Sequence, residues 1–541
     1  MRRSEICWHT RSKRIRRSHS SSPSGLRART SPRRLGLWPP RPDKDSASSS
    51  SHGQSIRPRR RLVPEGAPMT EPTYDRLSFL DASFLALESS TAHMHVAGVA
   101  LFEGGTLRRP DGGIDIARIR SFIESRLHHV PRYRQHLAWI PIEKYPVWVD
   151  DQHFNIDYHV RHIGLPKPGT ETQLRELFGQ ILGSQLDRAK PLWQMWIVEG
   201  CEKDRFGLIF KIHHCMLDGI SGVDLMGVLL GFTPTTELEP TPEYTPRPVP
   251  RGTQLLVDET LRRLARAAKI AVSVPRMLEQ GRSIATEVGR KANAVAHSLT
   301  SGWLSAASRT PINEPIGPNR RFDWLTLPLD DFKQVKNLLG GTVNDVVLAV
   351  AAGAIRSFLI NERAFDVTGV EFRAMVPVSI RPKDRRGTMG NQVAMWLIEL
   401  PLEQRDPLQR FALIKEHTNK LKETNQALGA STIVQLSSGT PMTLMQRAAR
   451  LATGMRPFNM TITNVPGPQF PMYLLDSKLI VQYPAVPLWA GHDIGIALFS
   501  YDGDIAWGFH ADWDAVPDLD AFTDAVRRSA EELLEAALSQ G

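Results

Sequence analysis

A proline-rich stretch near the middle of the chain is the feature that most constrains its fold. Six prolines stand between Thr233 and Thr253: Pro234, Pro240, Pro242, Pro246, Pro248 and Pro250. This composition favours an extended, weakly structured chain and is typical of a linker. With 541 residues, the chain is also too long for one ordinary domain. We therefore expect two lobes, one on each side of the linker.

The regions on both sides of the linker mix helical and strand patterns. His95–Phe102 alternates in the way that a half-buried strand requires. A helical stretch follows the linker, and a second mixed region begins at about Arg321. We predict an α/β (α+β) fold with a first lobe at 69–232, a linker and helical segment at 233–320, and a second lobe at 321–541.

Residues 1–68 differ in composition from the rest of the chain. They hold 17 basic and 4 acidic residues, whereas the whole chain has a net charge of +10, so the remainder is near neutral at −3. A segment so rich in Arg, Ser and Pro buries too little apolar surface to fold, and we predict disorder. A transit peptide, a nucleic-acid-binding tail and an overextended reading frame all stay open, since Met69 begins sequence of a different character. For the near-neutral body we expect no nucleic-acid partner.

Cysteine spacing and hydropathy indicate the compartment of the protein and its relation to a membrane. Cys7, Cys201 and Cys215 have no paired spacing, which argues against a zinc site or a disulfide framework and favours a reducing, cytoplasmic compartment. The longest apolar run, Val346–Ile355, stops at Arg356, short of the ~18 residues typical of a membrane span. We interpret this run as a buried helix.

The helical segment after the linker is basic and amphipathic. Residues 255–300 hold eight basic and four acidic residues, and apolar side chains recur at helical spacing at Val257, Leu261, Leu264, Ala268 and Val272. Such a helix can lie in a membrane interface. It can also pack on its own protein with a solvated basic face, and the sequence alone favours that second interpretation.

Two histidines stand where a predicted strand ends. The alternating stretch Arg205–Ile212 is followed by His213-His214-Cys215-Met216-Leu217-Asp218-Gly219, and a predicted helix comes next. An imidazole at such a position can act as a general base near neutral pH. This pattern makes acyl transfer plausible. Cys215 is a weaker candidate nucleophile, because neighbouring residues on extended chain point to opposite sides.

Three further motifs allow both structural and functional interpretations. Asn344 and Asp345 open an apolar helix and are equally compatible with capping or a place in the active site. Thr463 and Asn464 precede Val465-Pro466-Gly467-Pro468; they belong to a rigid turn or donate to a developing oxyanion. Trp193, in Pro191-Leu192-Trp193, is better suited to packing and shaping a channel than to chemistry.

Taken in order, these motifs resemble the bacterial wax ester synthase/diacylglycerol acyltransferase family. The histidine motif alone is shared with condensation domains and other CoA-dependent acyltransferases, so the wider set carries the resemblance. The set extends from Tyr74 to the C-terminus: Leu77–Ala82, Phe154–Val160, Pro191–Trp193, the histidine motif, Asn344–Ala349, Val376–Arg381 and Thr463–Pro468.

The resemblance implies a fold and a set of roles. It implies two chloramphenicol-acetyltransferase-like lobes with a tunnel between them, and acyl-CoA as a substrate with no cofactor and no metal. His214 would be the general base and His213 would support it. Asp218 would hold the loop through an ion pair with Arg381 as a candidate partner. Gly219 would allow the tight loop.

The function we expect is transfer of a long-chain acyl group to diacylglycerol, giving triacylglycerol, with fatty alcohols as second acceptors, giving wax esters. The enzyme would be peripheral at the inner membrane or at lipid droplets. Two alternatives remain at this point: a condensation-type transferase that uses a carrier-protein thioester, and a non-catalytic protein that binds lipid surfaces.

Overall fold

Two six-stranded sheets form the framework of the computed structural model, which describes residues 73–217, 227–279, 305–379, 393–423 and 456–540. Helices pack against both sheets, and a three-stranded sheet accompanies the first. The predicted α/β fold with two lobes is therefore confirmed. The extension at 1–68 lies outside the described residues.

The first sheet has the strand order β12-β13-β2-β7-β6-β5, and the second has the order β10-β9-β11-β14-β15-β8. A small sheet, β1-β4-β3, belongs to the first lobe. The strands are β1 (Asp75–Arg76), β2 (His95–Glu103), β3 (Gln135–Trp139), β4 (Pro146–Asp150), β5 (Val160–Gly164), β6 (Trp193–Cys201), β7 (Arg205–His213), β8 (Arg320–Pro328), β9 (Phe372–Ser379), β10 (Val393–Leu400), β11 (Met460–Pro466), β12 (Tyr473–Leu474), β13 (Ser477–Ala485), β14 (Ile494–Tyr501) and β15 (Asp504–Asp512).

Most of the described helices bury apolar side chains in the cores of the two lobes. The described α-helices are α1 (Phe79–Leu87), α2 (Ile116–Arg126), α3 (Ile156–His159), α4 (Glu171–Leu182), α5 (Gly252–Glu279), α6 (Leu329–Leu339), α7 (Val343–Asn361), α8 (Pro407–Glu423) and α9 (Leu519–Leu538).

Strand β7 is central in the first sheet and carries the histidine motif at its end. Its neighbours β2 and β6 both run antiparallel to it. The alternation seen in Arg205–Ile212 therefore corresponds to a real strand, with side chains on both faces covered by the lobe. Because β7 is held on both edges by backbone hydrogen bonds, the residues that follow it start from a rigid position.

Strand β13 does not fit a division of the chain into two lobes at residue 321. Strand β13 pairs antiparallel with β2, from Leu479 opposite Phe102 to Ala485 opposite Ala97. A segment that follows most of the second lobe in sequence thus completes the sheet of the first lobe. Local periodicity predicts a strand but not its partner, because pairing depends on contacts distant in sequence. The limits 69–232, 233–320 and 321–541 remain predictions.

The proline-rich linker runs across the first lobe without a helix or strand between residues 233 and 251. Arg247 lies within ion-pair distance of Asp150 at 2.8 Å and of Asp75 at 3.2 Å. The Tyr244 hydroxyl donates to the Arg134 carbonyl at 3.2 Å. Side-chain contacts therefore dock this extended segment on the lobe that precedes it.

Helix α7 is the buried centre of the second lobe. Its length and apolar composition meet the simple criteria for a membrane span. However, residues 345–355 are all buried in the core of the lobe, against α8 and α9 among others. The helix predicted at Val346–Ile355 is observed as part of this core helix.

Candidate active site

The histidine motif begins with a turn fixed by backbone hydrogen bonds. His213 is the last residue of β7, and a short 3-10 helix covers His214–Met216. The His213 amide donates to the Leu192 carbonyl at 2.9 Å, and the His214 amide donates to the Met94 carbonyl at 2.8 Å. Both histidine backbones are thus held by neighbouring segments of the first lobe.

His213 is fully buried beneath this turn. Its Nδ1 accepts a hydrogen bond from the Cys215 amide at 3.1 Å. A neutral ring that accepts at Nδ1 carries its proton on Nε2. That nitrogen faces the Glu88 carboxylate, with 3.4 Å between Nε2 and Oε2. His213 therefore contacts the turn through the Cys215 amide and Glu88 through Nε2.

Glu88 is the centre of a buried charged cluster. It follows the last residue of α1, where it pairs with Arg188, and its Oε1 lies 3.7 Å from Nε2 of His95. His95 is opposite His213 in the β2–β7 register. Burial alone would raise the pKa of Glu88, but His213 and Arg188 outweigh it and lower the pKa to about 2. A permanent negative charge thus lies under the motif.

His214 is presented differently from its neighbour. Its half-buried imidazole stacks on Phe84, with 3.8 Å between ring centroids and an interplanar angle of 23°. Burial, followed by the proximity of His213, lowers the pKa of His214 to about 4. The ring is therefore neutral at physiological pH. A neutral imidazole can accept a proton.

Apolar side chains from both lobes meet next to this imidazole. Phe84 belongs to a buried cluster with Ala92, Met94, Ile316 and Leu488. Trp489 packs against that cluster and also against a second one, composed of Met375, Leu397 and Phe458. An apolar connection therefore runs from Phe84, beside His214, to strands β9 and β10 of the second lobe.

Cys215 lies on the inner side of the turn. It is 1% exposed and belongs to the apolar core of the first lobe. Burial, reinforced by Asp81 and Glu88, raises the pKa of its thiol well above the ordinary value. A protonated, enclosed thiol is a poor nucleophile, which agrees with the weak candidacy of Cys215 in the sequence.

Asp345 and Trp193 have structural contacts. Asp345 completes a capping box with Thr342 at the start of α7, and its other oxygen accepts from the Thr418 hydroxyl at 2.8 Å. Trp193 is fully buried and donates to the Tyr133 carbonyl at 2.8 Å. Asn344, next to Asp345, is half-buried. These contacts explain the positions of Asp345 and Trp193 without any contact to a substrate.

Thr463 and Asn464 lie on β11 of the second sheet. Both are half-buried and oppose Ala497 and Leu498 of β14 in the parallel register. The structure thus places them on the second sheet, whereas the histidines end a strand of the first sheet. Their role at an oxyanion stays a prediction. Asp218, Gly219 and Arg381 lie outside the described residues, and so do their predicted roles.

Sequence reasoning missed Glu88, Arg188 and Phe84. The only local signal for Glu88 is an acid directly after the apolar helix Phe79–Leu87. Arg188 and Phe84 are unremarkable in sequence, since their importance comes from partners in other segments. Among the residues that the structure describes, no group of three or more His, Cys, Asp or Glu side chains gathers in a way that could hold a metal ion.

Comparison with protein families gives two matches along the chain. The wax ester synthase/diacylglycerol acyltransferase catalytic domain matches residues 77–347, and the C-terminal domain of the same family matches residues 389–534. A Mycobacterium tuberculosis protein named as a diacylglycerol O-acyltransferase is 31% identical over 480 residues, covering 86% of this chain and 91% of its own. One from Mycobacterium bovis is 32% identical over 467 residues, covering 84% and 98%.

Solved structures share the fold. The wax ester synthase/diacylglycerol acyltransferase from Marinobacter aquaeolei VT8 superposes with a TM-score of 0.61 at 24% identity, covering 86% of this chain and 99% of that one. The starter condensation domain of rhizomide synthetase superposes with a TM-score of 0.54 at 12% identity, covering 86% and 95%. Two lobes around a strand-end histidine pair, family matches on both lobes and relatives above 30% identity agree: this chain is an acyltransferase that belongs to the wax ester synthase/diacylglycerol acyltransferase family.

Proposed function

We propose that this acyltransferase moves a long-chain acyl group from acyl-CoA to the free hydroxyl of diacylglycerol, and secondarily to a long-chain alcohol. The observation that carries the proposal is the state of His214. Its imidazole is neutral, stacked on Phe84 and partly exposed at the end of a rigid strand. A neutral imidazole held in this way meets the requirements of a general base.

The proposed reaction is a direct transfer. An alcohol is a poor nucleophile until a base accepts its proton. His214 takes the hydroxyl proton as the oxygen attacks the thioester carbonyl. The C–S bond then breaks, and the imidazolium gives the proton to the departing CoA thiolate. The products are the ester and the free CoA thiol. The enclosed, protonated thiol of Cys215 supports this route over a covalent acyl-enzyme.

The other motif residues act by positioning in this proposal. His213 and Glu88 hold the turn from below, so that the acceptor meets only the His214 ring. Asp218 and Gly219 shape the loop that follows, with Arg381 as the candidate partner of Asp218. Asn344 and one of Thr463 and Asn464 are candidates for contacts with the substrate or with the developing oxyanion.

The first test compares the parent protein with a His214→Ala variant. Purified full-length protein is given long-chain acyl-CoA with diacylglycerol or a fatty alcohol, and the ester is identified by mass. We expect His214→Ala to lose ~10²- to 10⁴-fold in rate, the range typical of a lost general base. Replacement of the exposed His153 by Ala is the matched control and should leave the rate unchanged.

Two results contradict the proposal. Parental ester formation by a folded His214→Ala variant would remove His214 from the mechanism. Ester formation from an acyl-carrier-protein thioester but not from acyl-CoA would instead identify a condensation-type donor, the alternative that the histidine motif also allows.

A further inference from the structure

Trp489 carries a buried hydrogen-bond donor that has no acceptor in the described part of the chain. The residue lies between β13 and β14, and its ring is half-buried. Its indole Nε1 is closed off from solvent, and none of the described residues accepts from it. Native proteins pair nearly all of their buried donors, because an unpaired one is costly. The indole N–H is therefore a candidate for a hydrogen bond to a substrate.

Trp489 lies between the two apolar clusters that adjoin the candidate active site. It packs against the cluster that contains Phe84 and against the one that contains Met375 and Phe458. Phe84 in turn stacks on the His214 imidazole. The side chains of these clusters supply no oxygen acceptor to the indole. The unpaired N–H thus stands in apolar surroundings, in the same cluster as the ring on which the general base stacks.

Contacts from the second lobe hold Trp489 in place. The His492 amide donates to the Trp489 carbonyl at 3.0 Å, and Nε2 of His492 donates to the Phe458 carbonyl at 2.7 Å. The His492 ring stacks on Phe458 with 4.4 Å between centroids. Phe458 then meets the Trp489 ring at 6.0 Å and 88°. A donor held in this way loses little side-chain entropy when an acceptor arrives.

Two further tryptophans show that an unpaired indole alone does not make a binding site. The Nε1 atoms of Trp396 and Trp507 are also buried without an acceptor among the described residues. Trp507 lies inside the core of the second lobe, and Trp396 packs against that core. Neither belongs to the cluster of Phe84. The position beside the general base therefore distinguishes Trp489 from the other two.

Methionines give the surroundings of Trp489 an adaptable shape. Met94 belongs to the cluster of Phe84, whereas Met375 and Met395 belong to the other cluster that Trp489 contacts. Unbranched thioether side chains rearrange readily around an irregular ligand. A lipid with more than one alkyl chain can therefore displace them and bring a polar group to the indole Nε1.

We propose that the Trp489 N–H donates to an ester carbonyl of diacylglycerol while His214 accepts the proton of its free hydroxyl. This inference rests on the proposed function and makes Trp489 a determinant of acceptor choice. Diacylglycerol carries ester groups on the other two glycerol carbons, whereas a fatty alcohol has only an alkyl chain there. A donor that one substrate pairs and another leaves unpaired discriminates between the two.

The contact is expected to act on binding. The ester carbonyl that meets Trp489 belongs to the acceptor and takes no part in the acyl transfer. It therefore interacts with the N–H equally in the ground state and in the transition state, which changes KM and leaves kcat nearly unaltered.

The test pairs a protein variant with a matched change in the substrate. Full-length parent and Trp489→Phe receive long-chain acyl-CoA with diacylglycerol, with the corresponding dialkylglycerol ether or with a fatty alcohol, all dispersed in detergent. The variant keeps an aromatic ring without the N–H, and the ether keeps the free hydroxyl and both chains without a carbonyl. In Trp489→Phe, kcat/KM for diacylglycerol should fall about three- to tenfold through KM, as expected for one neutral hydrogen bond. It should not fall for the ether or the alcohol.

The decisive quantity is the ratio of kcat/KM for diacylglycerol to kcat/KM for the ether. This ratio does not depend on the folded fraction of the enzyme, so a less stable variant cannot imitate the result. The parental ratio should be lost in Trp489→Phe, which measures the coupling between the N–H and the carbonyl. Trp507→Phe is the matched control, because it removes another buried, unpaired indole N–H in the core of the second lobe. It should keep the parental ratio.

Three outcomes overturn the inference. Equal ratios for the parent and Trp489→Phe would leave the N–H without a carbonyl partner on the acceptor. A loss of the same size with all three acceptors would assign Trp489 to the acyl-CoA or to packing. A parent that forms ester from the fatty alcohol but not from diacylglycerol would remove the acceptor of the proposed function and this inference with it. That last result needs no variant, so the two failures are distinguishable.

Discussion

At the scale of single residues, the two histidines of the motif have separate tasks because their surroundings differ. His213 is enclosed and tied to Glu88 and to the Cys215 amide. His214, one residue later, leaves the strand direction and stacks on Phe84 at the edge of the buried region. Of the two imidazoles, only that of His214 is partly exposed.

The pH dependence of kcat/KM should report the lowered pKa of His214. Burial disfavours the imidazolium, so the neutral base persists below the ordinary histidine range, to a pH of about 4. We expect kcat/KM to stay level from pH 7 to below 6 and to fall as the pH approaches 4. Circular dichroism at each pH separates titration from unfolding. A midpoint near the ordinary value of ~6.5 would contradict the assigned state of this ring.

Replacement of Glu88 by Gln should lower kcat about tenfold with little change in KM. The variant removes the negative charge that faces His213, and hydrogen bonds to charged groups contribute ~1.5–3 kcal/mol. Glu532→Gln is the matched control, because it also removes a carboxylate that pairs with an arginine, here Arg410, but in the second lobe. Equal kcat values for both variants and the parent would exclude a positioning role for Glu88.

At the scale of elements, strand β13 joins the two lobes. It pairs with β2 in the first sheet, and the second sheet packs against it through β14 and β15. The Tyr483 hydroxyl meets Thr326 at 2.9 Å, and the ring of Tyr483 stacks on Trp324 at 4.7 Å. Strand β13 thus holds the lobes together: it follows most of the second lobe in sequence but pairs in the sheet of the first lobe.

Gly508 of β15 should tolerate no side chain at this junction. A Cβ atom there would lie 1.9 Å from the Pro484 carbonyl oxygen of β13, a backbone contact that cannot move aside. We expect Gly508→Ala to destabilise the protein by ~1–3 kcal/mol, as overpacking does, seen as a lower urea midpoint. Gly227→Ala, with nothing within 4 Å, is the control. An unchanged midpoint for Gly508→Ala would disprove the close approach.

At the scale of the whole molecule, several histidines are buried in neutral form. Burial lowers the pKa of His159 and of His492 to about 4, and that of His510 to about 3. In the unfolded chain the same groups titrate near ~6.5. Between these values the unfolded state binds more protons than the folded state does, so stability is complete above the unfolded pKa and is lost as the pH falls.

The free energy of unfolding should therefore decrease from about pH 6.5 towards pH 4. Each of these histidines contributes up to ~1.4 kcal/mol per pH unit in that window. Urea unfolding at a series of pH values measures the slope. His510→Gln should make it shallower by up to one proton, whereas the exposed His153→Ala should leave it unchanged. A slope that His510→Gln does not alter would contradict a neutral buried His510.

Local patterns in the sequence determined much of the architecture. Prolines set φ and remove amide donors whatever surrounds them, so the linker was visible without the fold. Period-two alternation predicted β7 and its end at His213, and the apolar run Val346–Ile355 predicted a core helix. These features depend on residues close together in the chain. The family resemblance, which rests on ordered motifs, was confirmed for the same reason.

The tertiary structure alone decided which distant residues meet. Glu88 comes to His213, and Arg188 to Glu88, from separate segments. Strand β13 crosses to the sheet of the other lobe, and α5 pairs Glu259 with Arg76 while it leaves Val257, Leu261 and Leu264 exposed. From composition, the more plausible interpretation of α5 was a helix packed on its own protein with a solvated basic face. Arg262 and Arg263 are indeed exposed, but so are Val257, Leu261 and Leu264. Periodicity predicts that a helix has two faces, whereas only long-range contacts determine which face the protein covers.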